Sequence, residues 1–145
     1  MAPDEGALTS AVDKRILVVD DEPGVIEYLE LILKKEGFQL ETAADGQEAL
    51  QKILKLRPDL ILLDLKLPKI QGLELLRILQ ANDAGNVPVF IITGHMSNRE
   101  TEQLIKQEPN VKGFYTKPFN PALLAMNIHS LLRTLPAFRS QAPSW

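Results

Sequence analysis

The chain has 145 residues, of which 45% are apolar and 24% charged; this is one domain's length in the balance of a globular fold, and it excludes wholesale disorder. Sixteen basic against nineteen acidic residues give a net charge of −3 with no basic stripe, so the chain carries no nucleic-acid footprint of its own. Zero cysteines exclude a disulfide scaffold, thiolate zinc and a thiol nucleophile and fit a cytoplasmic location; no apolar run nears the roughly 18 residues of a membrane span, and the acidic start Met1-Ala2-Pro3-Asp4-Glu5 is no secretory signal.

In chain order, residues 1–13 read as a flexible N-terminal extension, 14–136 as the folded domain and 137–145 as a flexible tail or the start of a linker. Arg15–Val19 is a continuous apolar run, the pattern of a parallel strand buried on both faces. Pro23 suits a first helical turn, and Val25, Leu29, Ile32 and Leu33 follow at helical spacing until Lys34-Lys35-Glu36-Gly37 closes the helix. Phe38–Thr42 predicts a weaker strand; Ala49, Leu50, Ile53 and Leu54 predict the second helix, and Asp59–Leu63 the third strand. Leu75, Leu76 and Leu79 mark the third helix, and Val87–Ile92 the fourth strand. Ser97-Asn98-Arg99-Glu100 matches a capping box opening the fourth helix. Gly113–Thr116 is the last strand; Asn120 caps and Pro121 opens a final helix whose stripe is Leu124, Ile128, Leu131, Leu132 and Leu135. Strands alternating with helices through short connections predict an α/β fold, a doubly wound parallel sheet with helices on both faces.

Sites in such sheets form outside the carboxyl ends of the strands. The first strand delivers Asp20-Asp21-Glu22 there, the third Asp64, the fourth Thr93-Gly94 and the fifth Lys117-Pro118. Each alone has an ordinary reading as a turn, a cap, a strand residue or a surface charge. Together, the clustered carboxylates would repel and drive one pKa up unless a hard dication joined them. Mg²⁺ suits an all-oxygen set, with Asp21 and Asp64 as direct ligands and Asp20 in support. A carboxylate in such a site can attack phosphorus, while Lys117 supplies charge and Thr93 a hydroxyl donor.

Ile16-Leu17-Val18-Val19-Asp20-Asp21-Glu22, Asp64-x-x-x-Pro68-x-x-x-Gly72, Ile91-Ile92-Thr93-Gly94 and Lys117-Pro118-Phe119 resemble, in order, strand position and spacing, the receiver domain of two-component response regulators. The resemblance covers residues 15–135. It implies a flavodoxin-like sheet of five strands in the order 2-1-3-4-5 with five helices. Asp64 would be the phosphoacceptor, Asp20 and Asp21 would organise Mg²⁺, and the Lys66 backbone carbonyl would complete the metal site. Thr93 and Lys117 would bind the phosphoryl group, with a cis bond before Pro118. Thr93 and Phe114 would form the switch, Phe114 standing where a tyrosine or another aromatic is usual. The switching surface would be the fourth helix, fifth strand and fifth helix, a face for a downstream protein or a homodimer. The expected donor is a sensor histidine kinase or a histidine phosphotransfer protein; direct nucleic-acid or membrane binding by this chain is not expected. The chain would be a signalling switch with self-directed phosphoryl transfer and hydrolysis only, not an enzyme acting on an external substrate.

Lys66 and His95, flanking the site, are expected to set the lifetime of the phosphorylated state. Glu108–Gly113 departs from the Gly-Ala-rich approach to the last strand that is common in the family. His129 reads as a surface residue of the last helix, and Trp145 as part of a disordered terminus. Two alternatives compete. An unphosphorylated pseudo-receiver would typically have lost the acids or the Lys, which this chain keeps. A phosphatase of the haloacid-dehalogenase type would carry Asp-x-Asp on its first strand, where this chain has an adjacent pair.

Overall fold

The computed structural model describes residues 7–94 and 99–137. Five parallel strands, β1 (Arg15–Val19), β2 (Gln39–Ala43), β3 (Leu60–Leu63), β4 (Val89–Thr93) and β5 (Val111–Thr116), form one sheet in the order β2-β1-β3-β4-β5. The helices are α1 (Pro23–Lys35), α2 (Gly46–Leu56), α3 (Gly72–Gln80), α4 (Arg99–Lys106) and α5 (Pro121–Leu132). This is the expected doubly wound order. The period-two alternation of the strands divides the core into two layers. Leu17, Val19, Ile61, Leu63, Val89 and Ile91 pack with residues of α2, α3 and α4, including Ile53, Leu75, Leu79 and Ile105. Ile16, Val18, Leu60, Leu62, Phe90 and Ile92 pack with Leu29 and Leu33 of α1 and Leu124 and Ile128 of α5.

The punctuation behaves as its chemistry dictates. Pro23 and Pro121 open their helices, Asn120 accepts a hydrogen bond from Leu123 N at 3.0 Å, and Gly37 takes the left-handed φ of 98° that ends α1. Asp45 caps α2 by accepting from Glu48 N at 2.8 Å, while Glu48 Oε1 accepts from Ala44 N at 2.7 Å. Differences sit at boundaries. The β4 ladder begins at Val89, because Pro88 has no N–H to give and contributes its carbonyl to Ile61 N at 3.0 Å. Leu54 is exposed on α2. Leu135 does not belong to the last helix: α5 ends at Leu132 with Arg133 in the left-handed region (φ 56°), and Leu135 is exposed. Ser97 and Asn98 of the expected capping box, His95 and Trp145 lie outside the described residues.

Residues 7–13, expected to be a flexible extension, pack onto the domain. Ala11–Asp13 form a short 3₁₀ turn with Ala11 buried in the α1/α5 layer, and Thr9 pairs with Thr134. They are held there because Ala11 finds an apolar seat and the Thr9 backbone bonds those of Arg133 and Leu135.

Candidate functional site

The site residues are the last rungs of the parallel ladders. Asp20 N donates to Ala43 O at 3.1 Å, Asp64 N to Val19 O at 2.9 Å and Lys117 N to Thr93 O at 2.9 Å. Strand pairing thus fixes the backbones of Asp20, Asp64, Thr93 and Lys117 along one sheet edge, and their side chains meet there. Asp64 Oδ1 accepts from Thr93 Oγ1 and from Lys66 N, each at 3.1 Å, while Asp64 Oδ2 accepts from Lys117 Nζ at 3.2 Å. Lys117 Nζ also donates to Asp20 Oδ2 at 2.8 Å and reaches Glu22 Oε1 at 3.5 Å. Asp20 Oδ1 accepts from Glu22 N at 2.9 Å, which holds the turn after β1. The Lys117–Pro118 peptide bond is cis. Gly94 leaves room beside Lys117: a Cβ there would sit 3.7 Å from Lys117 Cδ.

Burial is graded across the cluster. Asp20 and Asp64 are 2% and 5% exposed and Thr93 1%, whereas Asp21 and Glu22 face solvent. Burial pushes the Asp20 carboxyl above its ordinary range, an effect the Lys117 and Glu22 hydrogen bonds oppose and the Asp64 charge reinforces. Lys117 is held above its ordinary range: burial works against its charge, and the Asp20 and Asp64 carboxylates outweigh that. One oxygen from each of Asp20, Asp21, Glu22 and Asp64 lies within 4.8 Å of the others. Two buried and two exposed carboxylates form a hard, oxygen-only donor set, open to solvent in a shallow depression lined by Asp21, Glu22, Asp64, Lys66, Leu67 and Pro68. That chemistry fits Mg²⁺, which takes oxygen ligands and keeps several waters.

The structure therefore brings together Asp20, Asp21, Asp64, Thr93, Lys117 and the Lys66 backbone. Phe114 stands apart on β5, half-buried, with Lys106 Nζ 5.0 Å from its ring centroid. Glu22 joins the cluster although the spacing of the acids did not single it out; its signal was its place directly after the aspartate pair, where the turn into α1 folds back. His129 is a correction: it is buried, not a surface residue, between Glu36 Oε1 (2.8 Å) and Thr134 Oγ1 (2.7 Å).

The family model for the response regulator receiver domain matches residues 16–129. The DNA-binding response regulator MtrA of Mycolicibacterium smegmatis is 38% identical over 120 residues, covering 83% of this chain and 51% of its own length. The alkaline phosphatase synthesis transcriptional regulatory protein PhoP of Bacillus subtilis is 34% identical over 122 residues, 84% of this chain and 50% of its own. The chain thus spans about half the length of these curated relatives. Among solved structures, a CheY-like response regulator receiver domain protein from Methanospirillum hungatei superposes with a TM-score of 0.76 at 32% identity, covering 82% of this chain and 93% of that one. The chemotaxis response regulator CheY4 of Vibrio cholerae gives 0.73 at 31% identity, with 82% and 98% covered.

Proposed function

From the premise that this chain belongs to the response regulator receiver domain family, a family of signalling domains, we propose that it is a phosphoacceptor switch in which Asp64 takes a phosphoryl group. The observation that carries the reading is the convergence on the Asp64 carboxylate: Thr93 and the Lys66 N–H on one oxygen, Lys117 on the other. These donors position a carboxylate nucleophile, whose attack needs no general base. An Asp64 oxygen forms the new P–O bond while the P–N bond of a phosphohistidine breaks; the imidazole leaves and takes its proton from solvent. The Lys117 ammonium and the Thr93 hydroxyl then face the phosphoryl oxygens, the groups on which phosphoryl transfer concentrates charge. Asp20, Asp21, Asp64 and the Lys66 carbonyl, with Glu22 alongside, would hold Mg²⁺, which would supply the remaining neutralisation. Reversal is hydrolytic: water attacks phosphorus, the P–O bond to Asp64 breaks, and phosphate leaves with the carboxylate restored. Lys66, two residues after Asp64, and His95, two after Thr93 in the sequence, set the lifetime.

The donor is a histidine kinase or a histidine phosphotransfer protein of a two-component pathway. Turning Thr93 and Phe114 toward the new group changes the α4, β5 and α5 face, where Leu104, Leu123 and Met126 already expose apolar surface for a protein partner or a second copy. The energy is of the right scale. Moving a two-state element from 1:99 to 99:1 takes about 5.5 kcal/mol, and hydrogen bonds to a charged group contribute roughly 1.5–3 kcal/mol each. Phosphoramidate, whose P–N bond mimics phosphohistidine, tests the chemistry. Borohydride reduction of the treated protein should convert residue 64 to homoserine, and Asp64→Asn should yield none. Reduction mapped to another acid would contradict the assignment. Decay of the same adduct in Lys66→Ala and His95→Ala reads the lifetime role, and unchanged half-lives in both would remove it.

A further inference from the structure

α4 is the helix held by the least apolar burial. Of its eight residues only Ile105 is buried, and Leu104 faces solvent at 46% exposure. Its main neighbour is β5. Its last residue, Lys106, lies over the half-buried ring of Phe114 on that strand, with Nζ 5.0 Å from the centroid. Glu102 Oε1 takes the same ammonium at 3.0 Å, an i,i+4 pair that aims the Lys106 stem along the helix. A cation over an aromatic face is an attractive contact, so the end of α4 is fastened to the ring that the proposed switch must move. α4 begins at Arg99, shortly after Thr93 at the end of β4, and its buried apolar anchor, Ile105, stands next to Lys106.

We infer that Lys106 is a pin: its contact with Phe114 stabilises the resting arrangement of α4 and β5 and so biases the domain against the phosphoryl-bound state. The inference rests on the phosphoacceptor reading and names a regulator of that switch. Linkage gives it a sign. Whatever stabilises the resting state weakens binding of a ligand that selects the other state, by the same factor.

The test is a titration of the full chain with beryllofluoride in the presence of Mg²⁺, a mimic of the phosphoryl group. Lys106→Ala should bind about two- to fivefold more tightly than wild type, the size of a cation–π contact at a half-exposed site. Lys106→Arg, which keeps a cation over the ring, should match wild type. In a Phe114→Leu background, Lys106→Ala should change nothing. Loss of a positive charge would by itself weaken anion binding, so the sign separates the pin from simple electrostatics. Unchanged or weaker binding by Lys106→Ala, or an equal gain in the Phe114→Leu background, overturns the pin. A wild-type protein that does not bind beryllofluoride at all overturns the phosphoacceptor reading, and the pin with it.

Discussion

Asp20 is buried next to Asp64, and its pKa lies above the ordinary 3.8 because burial outweighs the Lys117 hydrogen bond. The folded protein consequently holds the Asp20 proton more tightly than the unfolded chain does. The stability this proton contributes is lost as pH rises from 3.8 through the raised value. At neutral pH the ionised Asp20 therefore costs the metal-free protein stability, as a group kept for chemistry often does. Metal-free Asp20→Asn should unfold at a higher temperature than wild type at pH 7, with the gap closing as pH falls toward 3.8, while calorimetric Mg²⁺ binding is lost. A lower midpoint for Asp20→Asn at pH 7 would mean that pairing with Lys117 outweighs burial. The placement of Asp20, Asp64, Thr93 and Lys117 at one edge was legible in the sequence because each stands at the carboxyl end of a strand, where sheet geometry leaves a side chain little choice of direction. Lys106 was not: its partner, Phe114, is set by how a helix end packs on a strand, which no local pattern encodes.

At the scale of elements, β1, β3 and β4 were readable because burial on both faces demands uninterrupted Val, Ile and Leu. Their limits were less so, since Pro88 decides where the β4 ladder begins. The loop between β3 and α3, which carries Lys66, is positioned by glycines. Gly72 N closes it by donating to Leu65 O at 3.1 Å, and Gly46, the first residue of α2, donates to Pro68 O at 3.1 Å. A Cβ on Gly46 would overlap the Ile70 carbonyl oxygen and side chain. Were Gly46 merely a helix residue, alanine would stabilise α2 by about 1 kcal/mol. The close approach reverses the expectation: Gly46→Ala should cost about 1–3 kcal/mol in urea unfolding and weaken Mg²⁺ binding, because the loop bearing the Lys66 backbone must shift. A stabilised variant with unaltered Mg²⁺ affinity would show that α2 and this loop are uncoupled.

Across the whole molecule, the edge opposite the carboxylate cluster holds both ends of the described chain together. Thr9 N donates to Arg133 O and Leu135 N to Thr9 O, each at 2.9 Å. Beneath them His129 bridges Glu36 and Thr134 and stacks on Phe38 at 4.9 Å between ring centroids, while Ala137 N donates to Glu36 Oε1 at 3.3 Å. Nothing local in the sequence distinguishes this histidine from an exposed one, because Glu36 lies 93 positions away. His129→Ala should lower stability by about 2–3 kcal/mol, since it withdraws a hydrogen-bond partner from two buried polar groups, and it should speed amide exchange at Thr9 and Leu135. A change confined to overall stability, with both amides still protected, would show that the pairing of the chain ends does not depend on His129.

At the other edge, phosphoryl transfer to Asp64 is read by intact-protein mass after incubation with acetyl phosphate. Wild type with Mg²⁺ should gain the mass of one phosphoryl group, whereas Asp64→Asn, or wild type with the metal chelated, should gain none. An adduct that persists in Asp64→Asn would place the phosphoryl group on another residue, and a folded protein that neither binds Mg²⁺ nor acquires an adduct would be an interaction module that keeps the acids without using them; either result contradicts transfer to Asp64.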